Sequence, residues 1–417
     1  MAKRKSEKGI VLQTGESQLA NGRYRYRYYD DNGRAHDIYS WRLRPEDPTP
    51  EGKKPGKSLR ELEKEIQKGM EDGLRMWDAS TLTVAKLVNE YIDSQRPYWK
   101  PNTLSNNLSQ KKHIDTSGIG KKKVNRVTAD DVEKFYLVLI DGGMKASSVS
   151  AVDKLLNSGF RQAVKKKIVS SNPVSGCLGA VKKKVGYQSE QRHALEQGEL
   201  SVLLEYIAEN SLDKYIPCYI LAWTGLRFGE LAGLCWCDID FDAEIVHVRR
   251  TLEYTTIDGG KQYYFNTPKT AAGTRDIPML KDVKKFLLQI RAETKVVQMV
   301  PADKVTVDNT IFRSSTGKPM NNVVYGSFLK CIVQRYNRDH EDQLPEVSPH
   351  IFRHSFVCWL VENFSCGENA SLLDNLKYIQ HILGHSDAGT TLNTYAELRK
   401  DKLKEKHELL KQRAMNS

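Results

Sequence analysis

The chain has 417 residues, 39% of them hydrophobic, and a formal net charge of +12, with a mean hydropathy of −0.56. At about 100–200 residues per domain this length holds two to four domains with cores of their own, and no window approaches the run of about 20 apolar residues that spans a bilayer. The basic start Met1-Ala2-Lys3-Arg4-Lys5 leads into no secretory apolar segment, and the seven cysteines, odd in number and without a C-x-x-C pair, fit reduced thiols, so neither a membrane protein nor a secreted one is expected.

The charge is unevenly placed. Residues 1–80 carry a net +3, residues 81–190 a net +10 and the remainder a net −1. A localised basic surface is the footprint of polyanion binding, although a solvated, solubilising face has the same composition.

In chain order, residues 22–44 read as a β-hairpin. Gly22-Arg23-Tyr24-Arg25-Tyr26-Arg27-Tyr28 alternates strictly, so the arginines share one face and the tyrosines the other. Asp31-Asn32-Gly33 supplies the turn. The arginine row could meet base edges or phosphates in a groove, or it could be a charged face that blocks edge pairing or is neutralised by cross-strand acids. Ser58-Leu59-Arg60-Glu61 has the form of a capping box opening a helix with Leu59, Leu62 and Ile66 on one face. Residues 73–80 look like a linker. From Thr83 to Pro173 the pattern is helical, with apolar stripes at Val84, Leu87, Val88, Tyr91 and Ile92 and at Val149, Val152, Leu156, Phe160 and Ala163. Basic clusters at Lys111-Lys112, Lys121-Lys122-Lys123 and Lys165-Lys166-Lys167 interrupt these helices and suit phosphate-backbone contacts. Pro173 and Gly176 mark a hinge before Lys182-Lys183-Lys184.

Beyond residue 190 the charge is neutral. Helices are predicted over Leu200–Ala208 and Tyr215–Leu234. Three strands follow, Glu244–Tyr254, Gln262–Asn266 and Arg275–Met279, and then more helices, ending in a charged, helix-prone stretch from Asp401 to Arg413. Four segments stand out: Thr224-Gly225-Leu226-Arg227-Phe228-Gly229-Glu230-Leu231, in which a glycine turn opens a helix with Arg227 at its start; Thr267-Pro268-Lys269-Thr270 before Arg275-Asp276-Ile277-Pro278, with a lysine in a connection between strands; His350-Ile351-Phe352-Arg353-His354 after Ser348-Pro349; and Leu383-Gly384-His385-Ser386 followed by Tyr395.

In this order and with these neighbours, Arg227, Lys269, His350, Arg353, His385 and Tyr395 make the chain resemble the tyrosine recombinases of the phage-integrase family, over roughly residues 190–400. The first 75 residues resemble the arm-type DNA-binding domain of conjugative-transposon integrases, and residues 81–175 the family's helical core-binding domain. Phe352 stands where many members have leucine, and Ala396-Glu397 follows the tyrosine where histidine is common at the second position. The resemblance implies a multidomain, mainly α fold with small β-sheets. Residues 1–75 would form a three-stranded sheet plus helix, residues 81–178 a helical SAM-like domain on core sites, and residues 187–417 a mixed, mostly α catalytic domain with a three-stranded β-insert and a C-terminal tail helix.

The chemistry implied is cutting and rejoining of DNA strands through a 3′-phosphotyrosine, for integration and excision of a conjugative transposon, with no metal, ATP or other cofactor. A phenol can attack phosphorus, and two planar guanidinium forks fit the non-bridging oxygens of a phosphate. Arg227 and Arg353 take that role, Lys269 that of general acid, His350 that of general base and His385 that of hydrogen-bond donor to a phosphate oxygen, with Glu230 orienting the cluster. The partners implied are double-stranded DNA at core and arm sites, a homotetramer on synapsed DNA with the tail (Leu403, Leu409, Leu410) packed on a neighbour, an excisionase and a host DNA-bending protein, in a bacterial cytoplasm at the nucleoid. The sequence admits two other readings. The pairs His350/His354 and His381/His385 have zinc-ligand spacing, yet Ile351 stands where a zinc hydrolase has its glutamate and Arg353 would repel the cation. A catalytically silent DNA-binding regulator would share the basic segment.

Overall fold

Strict alternation governs the N-terminal segment. Strand β2 (Tyr24–Tyr29) pairs antiparallel with β1 (Glu16–Gln18) on one side and β3 (Ala35–Ser40) on the other. The computed structural model describes residues 4–30, 33–188, 193–257, 259–267, 271–294, 300–314, 316–364, 372–384 and 389; the expected turn residues Asp31 and Asn32 lie outside them, as do Asp258, Cys366 and the tail helix. Because side chains two apart share a face, Tyr24, Tyr26 and Tyr28 turn inward and form a small core with Leu43, Leu59 and Ile66. The last two lie on α1 (Leu59–Glu71), which the capping box starts as expected: the Ser58 backbone N–H donates to Glu61 Oε2 at 2.7 Å.

This small core also holds two carboxyl groups. Glu16, fully buried, accepts from Arg60 Nε at 3.0 Å and from the Gln13 backbone N–H at 2.6 Å. Glu63 is buried beside it, and its Oε2 has no hydrogen-bond partner. Burial, and then the neighbouring Glu16 carboxylate, push Glu63 up to about 7, with Arg60 opposing. A carboxyl that holds its proton more tightly in the folded chain stabilises the fold below its unfolded pKa of about 4.3, and that contribution is lost as pH rises through 7. Hydrogen exchange of the α1 amides in the full chain is therefore expected to accelerate about 5- to 30-fold between about pH 5 and pH 8 beyond its intrinsic pH dependence, a loss on the order of 1–2 kcal/mol. Glu63→Gln should abolish that excess; an equal excess in the variant would show that another group is responsible.

The chain divides into two compact units, Met1–Ser189 and Glu190–Ser417. The first contains a second, helical core. Helices α3 (Val84–Gln95) and α7 (Ala146–Lys165) bury the stripes the periodicity predicts, Val84, Leu87, Val88 and Ile92 on one and Val149, Val152, Leu156, Phe160 and Ala163 on the other, except that Tyr91 of the first stripe is only half-buried against the same core. Helices α4 (Pro101–Asp115), α5 (Gly118–Lys121) and α6 (Ala129–Asp141) complete this layer. Residues 73–80, expected as a linker, instead lead into α2 (Met76–Thr81), because Ala79 and then Leu82 find places in the helical core and the Arg75 N–H donates to the Lys167 carbonyl at 2.7 Å. Helix α8 (Cys177–Lys184) starts at the left-handed Gly176 and buries Cys177 and Val181 in the same core.

In the second unit, α9 (Gln197–Asn210) and α10 (Leu212–Thr224) are followed by α11 (Phe228–Ala232), then, after the strands, by α12 (Lys281–Glu293), α13 (Asn322–Asp339), α14 (Pro349–Asn363) and α15 (Leu372–Leu383). The predicted helix Tyr215–Leu234 is thus two helices, divided at Gly225. The strands form an antiparallel sheet of β4 (Ile239–Asp240), β5 (Ile245–Val248) and β8 (Arg275–Pro278), and a hairpin of β6 (Thr251–Ile257) and β7 (Gly260–Asn266). The expected strand Glu244–Tyr254 breaks at Arg249-Arg250, whose guanidiniums both turn onto the buried Asp238. Among the described residues no helix is long and apolar enough to cross a membrane.

Candidate active site

The site is built where the end of α10 meets α14 and α15. Gly225 closes α10 in the left-handed region, at φ 62°, and a Cβ there would stand 2.5 Å from Phe356 Cδ1. Only glycine both adopts that backbone and admits the aromatic ring. The chain then buries Leu226 and presents Arg227 as the residue preceding α11. Glu230, one turn on, ties Arg227 down twice: Oε2 accepts the Arg227 backbone N–H at 2.8 Å and Oε1 accepts Arg227 Nη1 at 2.7 Å. Gly229 lets the helix lie against β6, since a Cβ there would stand 2.9 Å from the Leu252 carbonyl oxygen. Arg227 keeps 38% of its side chain exposed, so its guanidinium is held by protein on one side and open on the other.

Arg353 arrives 128 residues after Gly225 and donates from Nη1 to the Gly225 carbonyl at 2.5 Å, and from Nη2 to the Leu383 carbonyl at 2.5 Å. One planar fork thus joins the end of α10 to the end of α15. Burial, then the nearby Arg227, with Arg275 also contributing, push Arg353 down to about 9, and Glu230 opposes them. Burial alone would raise the Glu230 carboxyl, yet its bond to Arg275 and the charges of Arg275 and Arg227 bring it down to about 2. Three guanidiniums therefore surround one carboxylate, and the ionic balance among these described residues favours an added anion.

His350 sits in the first turn of α14, exposed, with its ring stacked on that of His354 at 6.2 Å. Among the described residues no three His, Cys, Asp or Glu side chains are grouped to hold a metal ion. Lys269, His385 and Tyr395 lie outside the described residues; β7 ends at Asn266, β8 begins at Arg275, and Gly384, immediately before His385, has φ 62°. Arg275 opens the segment Arg275-Asp276-Ile277-Pro278, in which the sequence assigns it no role. It is fully buried and binds Glu230 through Nη2 at 2.8 Å and Nη1 at 3.1 Å. The signal was an arginine at an inward strand position beside Ile277.

The basic residues away from this cluster divide into two groups. Lys111 pairs with Asp115 at 2.5 Å, Lys122 with Asp131 at 2.5 Å, and Lys123 donates to the Thr81 carbonyl, so these are engaged within the protein. Lys112, Lys121, Lys165, Lys166 and Lys167 are exposed. On the N-terminal sheet, Arg27 grips Asp37 with two bonds of 2.8 and 2.9 Å, Arg25 donates to Ser17, and the Arg23 guanidinium lies 5.1 Å over the Tyr39 ring. The arginine row is therefore partly neutralised by a cross-strand acid.

A guanidinium cluster open on one side, with His350 one turn before Arg353 on α14, suits an enzyme that acts on phosphodiesters. Residues 193–402 match the phage integrase family and residues 1–70 match the DNA-binding domain of Tn916 integrase. The chain is similar to the transposase from transposon Tn916 of Enterococcus faecalis and to that from transposon Tn1545 of Streptococcus pneumoniae, each 30% identical over 94% of this chain and 93% of the relative. Among solved structures, the Tn1549 transposon integrase in complex with a circular intermediate DNA is 27% identical, covers 79% of this chain and all of that one, and superposes with a TM-score of 0.66; the lambda integrase dimer bound to a core site, 17% identical at a TM-score of 0.52, shares the fold. The chain belongs to the phage integrase family and is a tyrosine-type site-specific recombinase of the conjugative-transposon kind, acting on DNA.

Proposed function

We propose that Tyr395 is the nucleophile of this recombinase and that Arg227, Lys269, His350, Arg353 and His385 serve it. The phenol oxygen attacks the scissile phosphorus, forms a 3′-phosphotyrosine and expels the 5′-hydroxyl. His350 takes the phenol proton and Lys269 returns one to the leaving oxygen, while Arg227, Arg353 and His385 hold the non-bridging oxygens. Attack by a 5′-hydroxyl of the exchanging strand reverses the step and releases the tyrosine, so no ATP is consumed. The observation that carries this reading is the meeting of Arg227 and Arg353 around Glu230 and the Gly225 carbonyl, with Arg227 half open.

The division of labour proposed is threefold. Residues 1–75 hold arm sites through Arg23, Arg25 and Arg27. Residues 81–178 track the core-site backbone through their lysine clusters, with Lys112, Lys121 and Lys165–Lys167 the available cations. Residues 187–417 cut and rejoin. Binding two sites at once gives avidity set by the connecting segments. A tetramer on synapsed DNA, an excisionase, a host bending protein and a nucleoid location complete the proposal; the same fold forms a tetramer on a Holliday junction in lambda integrase.

The test uses the full chain and a nicked suicide substrate that loses a short strand on cleavage, in excess chelator. A covalent protein–DNA species linked through a 3′-phosphate is expected. A bound but never covalent complex would leave a DNA-binding regulator, and an adduct that vanishes in chelator would bring back a metal-dependent enzyme.

A further inference from the structure

The structure assigns to Arg275 a positioning role: this buried guanidinium ties Glu230, and through it Arg227, to the end of α15, and so sets the phosphate clamp. Arg275 occupies an inward position of β8 and its side chain is 0% exposed. Its donors are spent inside the protein. Nη2 and Nη1 hold the two oxygens of Glu230, Nη1 also reaches the Gly273 carbonyl at 3.3 Å, and Nε donates to the Ile382 carbonyl at 2.7 Å. Glu230 in turn holds Arg227. The end of α15 closes onto this guanidinium because residue 384 is glycine; a Cβ there would stand 3.0 Å from Arg275 Cδ and 2.8 Å from the Ala272 carbonyl oxygen. An unbroken line of bonds thus runs from Ile382, through Arg275 and Glu230, to Arg227. With no exposed surface, Arg275 does not touch the phosphate itself.

A buried ion pair is rarely the most stabilising filling for a core, since apolar residues of like volume often do as well. Its value here is directional: a planar fork fixes the carboxylate, and a carboxylate bound on both sides fixes Arg227. This inference rests on the proposed clamp, and the test separates the two. Single-turnover cleavage is measured on two suicide substrates, one with the normal scissile phosphate and one with a neutral methylphosphonate in its place, for the wild-type chain, Arg275→Lys and the double variant Arg275→Met/Glu230→Met. Misaligned guanidiniums matter most where the phosphorus centre carries its full negative charge. Both variants are therefore expected to bind DNA as the wild type does and to cleave the phosphate about 10- to 100-fold more slowly, with the loss shrinking to less than about threefold on the methylphosphonate. The ratio of the two rates comes from one preparation, so partial unfolding lowers both rates together and leaves the ratio alone. Equal losses on both substrates, or no loss on either, overturn the positioning role. Absence of adduct from the wild-type chain overturns the reading of the clamp itself before any variant is compared.

Discussion

Arg353→Met is expected to lower single-turnover cleavage by about 10³-fold, in line with the removal of one preorganised donor from a developing oxyanion. It is also expected to destabilise the second unit by about 2–4 kcal/mol, because the Gly225 and Leu383 carbonyls, buried with the guanidinium, lose their donors together. The charge that leaves was disfavoured by burial and by Arg227 and Arg275, which returns part of that cost and sets the upper figure. Arg353→Lys separates the two effects. An ammonium restores the charge but cannot place two coplanar N–H groups on carbonyls from different helices, so it should recover little of either quantity. Cleavage on the suicide substrate and thermal unfolding of the same samples are the measurements. A methionine variant that cuts within about tenfold of wild type would remove Arg353 from the clamp.

The readable parts of this protein are those whose cause is local. Alternation in Tyr24–Tyr28 put three tyrosines into the small core because a strand has period two. The stripes of α3 and α7 were legible because a helix repeats every 3.6 residues. Arg227 and Arg353 could be picked out because their neighbours are distinctive: Gly225 must be glycine for reasons of φ and of Phe356, and Ser348-Pro349 starts a helix. What escaped depends on partners distant in sequence. Arg275 on a strand looks like any alternating residue until Glu230, 45 residues back, and Ile382, 107 residues on, are brought to it. Residues 73–80 have the composition of a linker, but Ala79 is buried by helices that follow it. Of the lysines expected on DNA, Lys111 could have been paired with Asp115 from its i,i+4 spacing, whereas Lys122 meets Asp131 through the fold alone. The assignments of Lys269, His385 and Tyr395 stand on motif and order.

Tyr395→Phe carries the largest expected effect, because in the proposed mechanism it removes the one atom that forms a bond to phosphorus. A residue can compensate for a misplaced clamp to some extent, but no geometry of Arg227, Arg353 and His350 replaces the attacking oxygen. Cleavage is expected to fall by more than about 10⁴-fold, to the limit of detection, as when a nucleophile is removed from a group that acts as one unit. Binding should be unaffected, since the proposed phosphate clamp consists of guanidinium and imidazole groups and a phenyl ring fills the same space as a phenol. The reason for a phenol also predicts what the wild-type adduct does. With a pKa near 10, tyrosine leaves phosphorus more readily than an alkoxide does, so an added strand bearing a free 5′-hydroxyl should discharge the adduct and release full-length religated DNA. An adduct in the phenylalanine variant would place the nucleophile on another side chain, and a wild-type adduct that resists discharge by the 5′-hydroxyl would mean that the linkage is not a phosphotyrosine poised for rejoining. Electrophoretic mobility for binding and denaturing gels for the covalent species, run on one set of samples, decide both points.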